Sequence, residues 1–186
     1  MATVLQSTVD QHLVAGTVVL VANQERVLDL EAAGYASLSA LTPMRPDALF
    51  WIASMSKSFT GAALMMLVDE GKLKLDDPVE KYLPEFKGQM VVEDQAPPHP
   101  PQHPITIREI MDHTSGVVTP QDPAFKGKTT LREIVEVIGK SPLHREPGTK
   151  YEYNNSGINT GGRLIEVLSG MPMPTSCSSA YSRRWR

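Results

Sequence analysis

The segment Trp51-Ile-Ala-Ser-Met-Ser-Lys-Ser-Phe-Thr-Gly-Ala-Ala-Leu-Met-Met-Leu-Val68 constrains this chain most. Every residue from Ala62 to Val68 is apolar. That predicts a central helix from Ser54 to Glu70, buried all round and closed by Gly71. The head of the helix carries chemistry. Ser54 and Lys57 stand at i and i+3, so a hydroxyl and an ammonium share one face. A serine alone is a weak nucleophile and needs a base. The positive end of the helix dipole and burial both disfavour a charged lysine there, which makes a neutral amine one candidate proton acceptor. A plainer reading stands beside it: serine is a preferred N-cap, and the lysine is simply solvated. Ser-x-x-Lys arises by chance about once in a chain of this length.

A second element lies far downstream, in Pro147-Gly-Thr-Lys-Tyr-Glu-Tyr-Asn-Asn-Ser-Gly157. Pro-Gly marks a turn. Tyr153 and Asn155 then place a phenol and a carboxamide two residues apart, just before another helix. A phenol titrates near 10 in isolation, too high for a base at neutral pH, but a neighbouring lysine cation lowers it. Tyr153 then relays a proton for Ser54, and Asn155 holds a substrate amide or the lysine. Alternatively, Tyr151 and Tyr153 are ordinary half-buried aromatics and the Asn pair is turn chemistry.

Together the two elements carry a family resemblance. Phe50-Trp-Ile-Ala-Ser-Met-Ser-Lys57 resembles the nucleophile motif of the serine β-lactamase and penicillin-binding-protein superfamily. The branch it resembles most holds class C β-lactamases, DD-peptidases and family VIII esterases. Leu67 to Val79, Lys81-Tyr-Leu-Pro84, Ile105 to Gly116 with its His-Thr-Ser-Gly ending, and Pro147 to Asn155 are similar to later segments of that family, in the same order. The resemblance implies that Ser54 is the acylated nucleophile, Lys57 its partner and Tyr153 the general base, with Asn155 at the substrate. It implies a serine hydrolase that uses no cofactor and works through an acyl-enzyme on a small ester or amide, as an esterase, a β-lactamase or a DD-peptidase. The competing expectation is a non-catalytic truncated fragment that retains the nucleophile lobe.

The departure from the family pattern matters as much. Its third motif, Lys-Thr-Gly or His-x-Gly on a strand lining the site, does not occur here; Lys126-Gly-Lys-Thr-Thr130 is only superficially similar and precedes Tyr153. The fold expected is therefore α+β and partial: the N-terminal hairpin of an antiparallel sheet plus a mainly helical lobe, without the C-terminal half of the sheet. That loss would leave Ala62 to Val68 partly uncovered. Residues 1–172 read as the N-terminal part of a β-lactamase-related domain, and residues 173–186 as a non-homologous tail without periodicity. The tail holds Cys177, the chain's one cysteine, and the cluster Arg183, Arg184 and Arg186. A permissible back-translation read one base earlier turns it into an amphipathic, family-like helix, so a frameshift product is expected.

Composition bounds the rest. The chain has 186 residues, 41% of them hydrophobic, and a net charge of −3, which suits a packed core and offers no basic field for nucleic acid. A single cysteine cannot form an internal disulfide. No run is apolar enough to span a bilayer and no export signal opens the chain, which favours a cytoplasmic location unless an upstream signal has been lost. Oligomeric state is left open. Leu5 to Val14 reads as a helix, and Thr17–Ala22 with Val27–Gly34 as a hairpin. Leu41 to Asp47 reads as a loop, and Ile107–His113, Thr129–Ile138 and Ser156–Leu168 as helices. Asp76-Asp-Pro78 reads as a helix start with proline at its first position. Gln95 to Pro104 reads as an extended proline-rich insertion, whose His99 and His103 lack partners at metal-ligand spacing. His113, Ser115 and Asp112 invite a triad reading, but their spacing turns them apart; His-Thr-Ser-Gly instead suits a helix cap at Gly116.

Overall fold

The computed structural model describes residues 2–93, 96–119 and 123–173. The tail expected to diverge, from residue 174 onward, lies outside the described residues. The chain divides into two compact units, Met1–Ile52 and Ala53–Arg186.

The first unit is a helix and a three-stranded antiparallel sheet. Helix α1 spans Ala2–Asp10, ending before the expected Val14, and the strands are β1 (Gly16–Ala22), β2 (Val27–Ser37) and β3 (Thr42–Pro43), in spatial order β1-β2-β3. The β1–β2 hairpin is in the register Gly16↔Gly34 through Leu20↔Leu30, with an irregularity between Val21 and Ala22. Its loop is held by Asn23, whose Oδ1 accepts from the backbone N–H of Glu25 (2.9 Å) and of Arg26 (2.8 Å). An Asn that closes its own turn in this way favours the hairpin over continued extension. The segment read as a loop, Leu41 to Asp47, contributes β3, which pairs with β2 at Tyr35↔Pro43.

The second unit is mainly helical. A 3-10 turn (Ala53–Met55) leads into α2 (Ser56–Asp69); α3 (Ile107–Met111), α4 (Leu131–Lys140) and α5 (Asn155–Ser169) follow. Helix α5 packs against α2, α3 and α4. The core between them includes Leu64, Leu67, Ile110, Val135, Ile138 and Leu164. Helix α2 ends as expected: Gly71, at φ 70°, donates to Val68 O and Lys72 donates to Leu67 O, a Schellman turn that a left-handed glycine makes cheaply. Its burial departs from burial all round and agrees with the partial exposure of Ala62 to Val68 expected from the missing strands. Thr60, Ala63, Leu64 and Leu67 are buried, whereas Ala62 and Met65 are exposed. One face has α5 to pack against, and the other does not.

Local chemistry explains the remaining helix starts. Thr106 with Glu109 and Thr130 with Glu133 form capping boxes at the heads of α3 and α4, each pair satisfying two free N–H groups. Asn154 caps α5. Pro78 is the N-cap of a 3-10 turn (Val79–Lys81), beside its first helical position. Asp77 beside it accepts from Tyr82 OH (2.6 Å), Lys74 N (2.9 Å) and Lys81 Nζ (3.0 Å). The proline-rich stretch does run extended, bridging His99 to Val91 antiparallel. Its two histidines face carboxylates: His99 stands 3.5 Å from Glu146 and His103 3.5 Å from Glu109. Among the described residues no three metal-ligating side chains converge, and no helix is long and apolar enough to cross a membrane.

Candidate active site

Ser54 lies in the 3-10 turn and not at the opening of α2, which begins at Ser56. Lys57, in the first turn of α2, lies three residues on from the serine. Lys57 Nζ lies 3.0 Å from Ser54 Oγ. Ala53, immediately before the serine, holds φ at 44°, a left-handed conformation that costs a residue with a Cβ about 1 kcal/mol or more. The plain N-cap reading of Ser54 is not realised: Met55 occupies the cap position, and no side chain caps α2.

The downstream element arrives at the same hydroxyl. Tyr153 OH donates to Ser54 Oγ at 2.7 Å, across 99 positions of chain. Lys57 Nζ also lies 4.8 Å from the centre of the Tyr153 ring. The Lys57 ammonium, and then the hydrogen bond with Ser54, hold the Tyr153 phenol below its usual value of 10.0. Tyr153 is 52% exposed and Ser54 is exposed, so water screens this pull in part. Asn155 is the one expected site residue without a side-chain bond to the others. It opens α5, is exposed, and makes no side-chain hydrogen bond among the described residues.

What places Tyr153 is the neighbouring His-Thr-Ser-Gly segment, in a way its sequence did not disclose. The cap expected at Gly116 falls three residues earlier. His113 takes the left-handed position after α3, at φ 65°, and the Thr114 N–H returns to Glu109 O at 3.0 Å. Three backbone bonds then tie the segment to the turn-containing stretch leading to Tyr153. Glu152 N donates to His113 O (2.8 Å), Gly148 N to Thr114 O (3.0 Å) and His144 N to Gly116 O (2.9 Å). Gly116, at φ 70°, permits the close approach: a Cβ there would lie 2.5 Å from Arg145 O. Arg145 also pairs with Glu152. Asn154, buried, accepts from Gly157 N at 3.1 Å through its Oδ1 and so fixes the angle at which chain enters helix. The sequence signal for that cap was present in Asn154, three residues before Gly157 at a helix start. His113, Ser115 and Asp112 form no triad: His113 Nδ1 and Ser115 Oγ have no hydrogen-bond partner, and Asp112 Oδ1 accepts from Thr114.

Helix α5 carries this assembly against α3 through a glycine. A Cβ at Gly157 would stand 2.3 Å from Ile110 O, so only a residue without one lets the two backbones meet.

The serine thus has both a lysine and a tyrosine on its hydroxyl, just before α2. The Beta-lactamase family model matches residues 1–180. Protein Rv1367c of Mycobacterium tuberculosis is 41% identical over 182 residues, covering 91% of this chain and 45% of its own. Among solved structures, EstCE1, described as a hydrolase with promiscuous acyltransferase activity, is 29% identical with a TM-score of 0.76, over 95% of this chain and 48% of its own. The D-amino acid amidase of Ochrobactrum anthropi SV3, complexed with L-phenylalanine, is also 29% identical, with a TM-score of 0.71, over 96% of this chain and 48% of its own. The chain belongs to the Beta-lactamase family, within the superfamily of serine β-lactamases and penicillin-binding proteins. Its α+β fold is partial, as expected: the chain spans about half the length of these relatives.

Proposed function

We propose that the chain carries the acylation apparatus of a serine hydrolase acting on a small ester or amide. The observation that supports this reading is the convergence of Lys57 Nζ and Tyr153 OH on Ser54 Oγ, at 3.0 and 2.7 Å. In this reading the Lys57 ammonium makes the Tyr153 phenolate accessible, and the phenolate takes the Ser54 proton. Ser54 Oγ attacks the carbonyl carbon, giving a tetrahedral oxyanion. Collapse breaks the bond to the leaving alcohol or amine, which takes the proton back from Tyr153. Water then repeats the sequence on the acyl-serine and regenerates the hydroxyl. Asn155, exposed at the head of α5, is free to meet the substrate's amide. The D-amino acid amidase among the similar structures supports including a simple amide among the substrates tried.

A second reading keeps acylation without turnover. Ser54 is exposed, and in a solvated site the oxyanion gains little from surrounding dipoles. One experiment separates the readings. The chain and its Ser54→Ala variant are treated with a fluorophosphonate probe, then assayed with p-nitrophenyl esters and nitrocefin. Labelling that requires Ser54, with ester turnover, supports the hydrolase. Labelling without turnover of either substrate supports the second reading, and labelling that persists in Ser54→Ala sinks both.

A further inference from the structure

We propose that His113 is a positioning residue for the Ser54 reaction: its imidazole ring, lodged against Tyr151 and Tyr153 at the turn after α3, sets where the Tyr153 phenol stands. The inference rests on the reading of Tyr153 as the base of a serine hydrolase.

Four observations lead there. The turn after α3 needs a left-handed residue, and glycine or asparagine would supply it at the least cost. A histidine stands there instead, at φ 65°. The choice leaves its half-buried ring with Nδ1 sealed from solvent and without a hydrogen-bond partner. Such a nitrogen is costly to bury, so the ring is not there for the turn. What the ring meets is aromatic: Tyr153 at 4.8 Å between centroids, tilted by 49°, and Tyr151 edge-on at 5.8 Å and 89°. Finally, the His113 carbonyl accepts from Glu152 N at 2.8 Å. One residue therefore fixes both the backbone just before Tyr153 and the ring of Tyr153 itself.

The surroundings favour the uncharged ring. Burial and then the Lys57 ammonium on α2 hold the His113 imidazole below its usual 6.5, against a smaller opposite pull from Asp112 on its own turn. From the segment before α5 it faces the two tyrosines, while Glu152 is engaged by Arg145. Protonation would set a second cation beside Lys57. Either the ring then leaves Tyr153 or Lys57 leaves Ser54, and both outcomes dismantle the arrangement at the hydroxyl.

Two substitutions separate the ring from the turn. His113→Asn keeps a residue at ease in the left-handed region and removes the ring; His113→Phe restores a ring that cannot titrate. Tyrosine ionisation is followed by NMR in the whole chain carrying ring-labelled tyrosine, alongside the rate of fluorophosphonate labelling from pH 5 to 9. In His113→Asn, Tyr153 should titrate closer to 10 than in the unmodified chain, and labelling should slow about tenfold or more. His113→Phe should recover most of the rate and lose the added steepening below 6.5, leaving only the slope set by Tyr153 itself. A Tyr153 titration unchanged by His113→Asn overturns the proposal, as does a steepening below 6.5 that persists in His113→Phe. If the Phe variant does not fold, His113→Asn decides alone: ring-proton contacts between residues 113 and 153 seen by NMR in the unmodified chain should be absent in it and the Tyr153 titration should shift, and a Tyr153 titration that stays put overturns the proposal. If Ser54 is never labelled yet Tyr153 responds to His113→Asn, the hydrolase reading fails and the positioning role stands.

Discussion

Gly157→Ala is the sharpest test of how α5 delivers Tyr153. By helix propensity alone the change should help, by about 1 kcal/mol, since alanine loses less backbone entropy in a helix. The contact says otherwise. The new methyl would lie 2.3 Å from Ile110 O, and ordinary contact begins at 3.4 Å, so α5 must retreat from α3 by about 1 Å. The methyl would meet a backbone carbonyl, which has no rotamer by which to yield. Overpacking of this kind costs about 1–3 kcal/mol, so the net change is a loss of about 1 kcal/mol and a melting temperature lower by about 3 °C. The functional effect should be larger than the structural one. Asn154, whose side chain is bonded to Gly157 N, and Tyr153 just before it move with the head of the helix. A retreat of about 1 Å breaks the 2.7 Å bond to Ser54, and misplacement on that scale costs about 100-fold in rate. The assay pairs thermal denaturation with the rate of fluorophosphonate labelling at Ser54. A variant that melts higher than the parent and labels at its rate would show that the α3–α5 contact has slack, and that the glycine is not what places Tyr153.

Three further outcomes are expected. Ser54→Ala should abolish fluorophosphonate labelling, since no other serine has a lysine and a tyrosine on its hydroxyl among the described residues; mass spectrometry that finds the tag on Ser115 would show the wrong serine was chosen. Lys57→Ala and Tyr153→Phe should each slow acylation by about 100-fold, and the double variant little further, because both serve one proton path; additive losses in a double-mutant cycle would contradict this. Asp77, lowered to about 2 first by Tyr82 and then by Lys74 N and Lys81, should stabilise the fold by about 2 kcal/mol above pH 4. Because its folded value lies below the ordinary 3.8, that stability is lost as pH falls toward 2, so urea midpoints of the parent and Asp77→Asn should differ at pH 6 and converge near pH 2.

The parts of this molecule that could be read from sequence are those set by neighbours in the chain. The β1–β2 hairpin, the closure of α2 at Gly71 and the meeting of Ser54 with Lys57 each depend on residues within a few positions of one another. Tyr153 was legible in a different way, through order and resemblance, since no local rule brings it across 99 positions to a serine. What escaped depended on long-range backbone pairing. The cap after α3 falls on His113 and not Gly116 because Gly116 is used for its approach to Arg145, a contact no pattern in either segment announces. The apolar run alone overstates the burial of α2 for a related reason, and it is the missing third motif that signals the partial exposure. An apolar run shows how much surface seeks cover, but which neighbour supplies it is decided elsewhere, and Ala62 and Met65 have none of the cover that α5 gives Leu64 and Leu67.

The two contacts on Ser54 differ in how they come into being. Lys57 reaches the hydroxyl across a single turn, so that pairing is available as soon as the turn forms. Tyr153 arrives only after α3 has closed on His113 and the stretch from His144 to Glu152 has been stitched to it by three backbone bonds. During synthesis the serine therefore waits, with a lysine and without a tyrosine, while nearly a hundred more residues are added. Its reactivity becomes a clock for the last long-range step of folding, and a probe of Ser54 reads out completed architecture as much as chemistry.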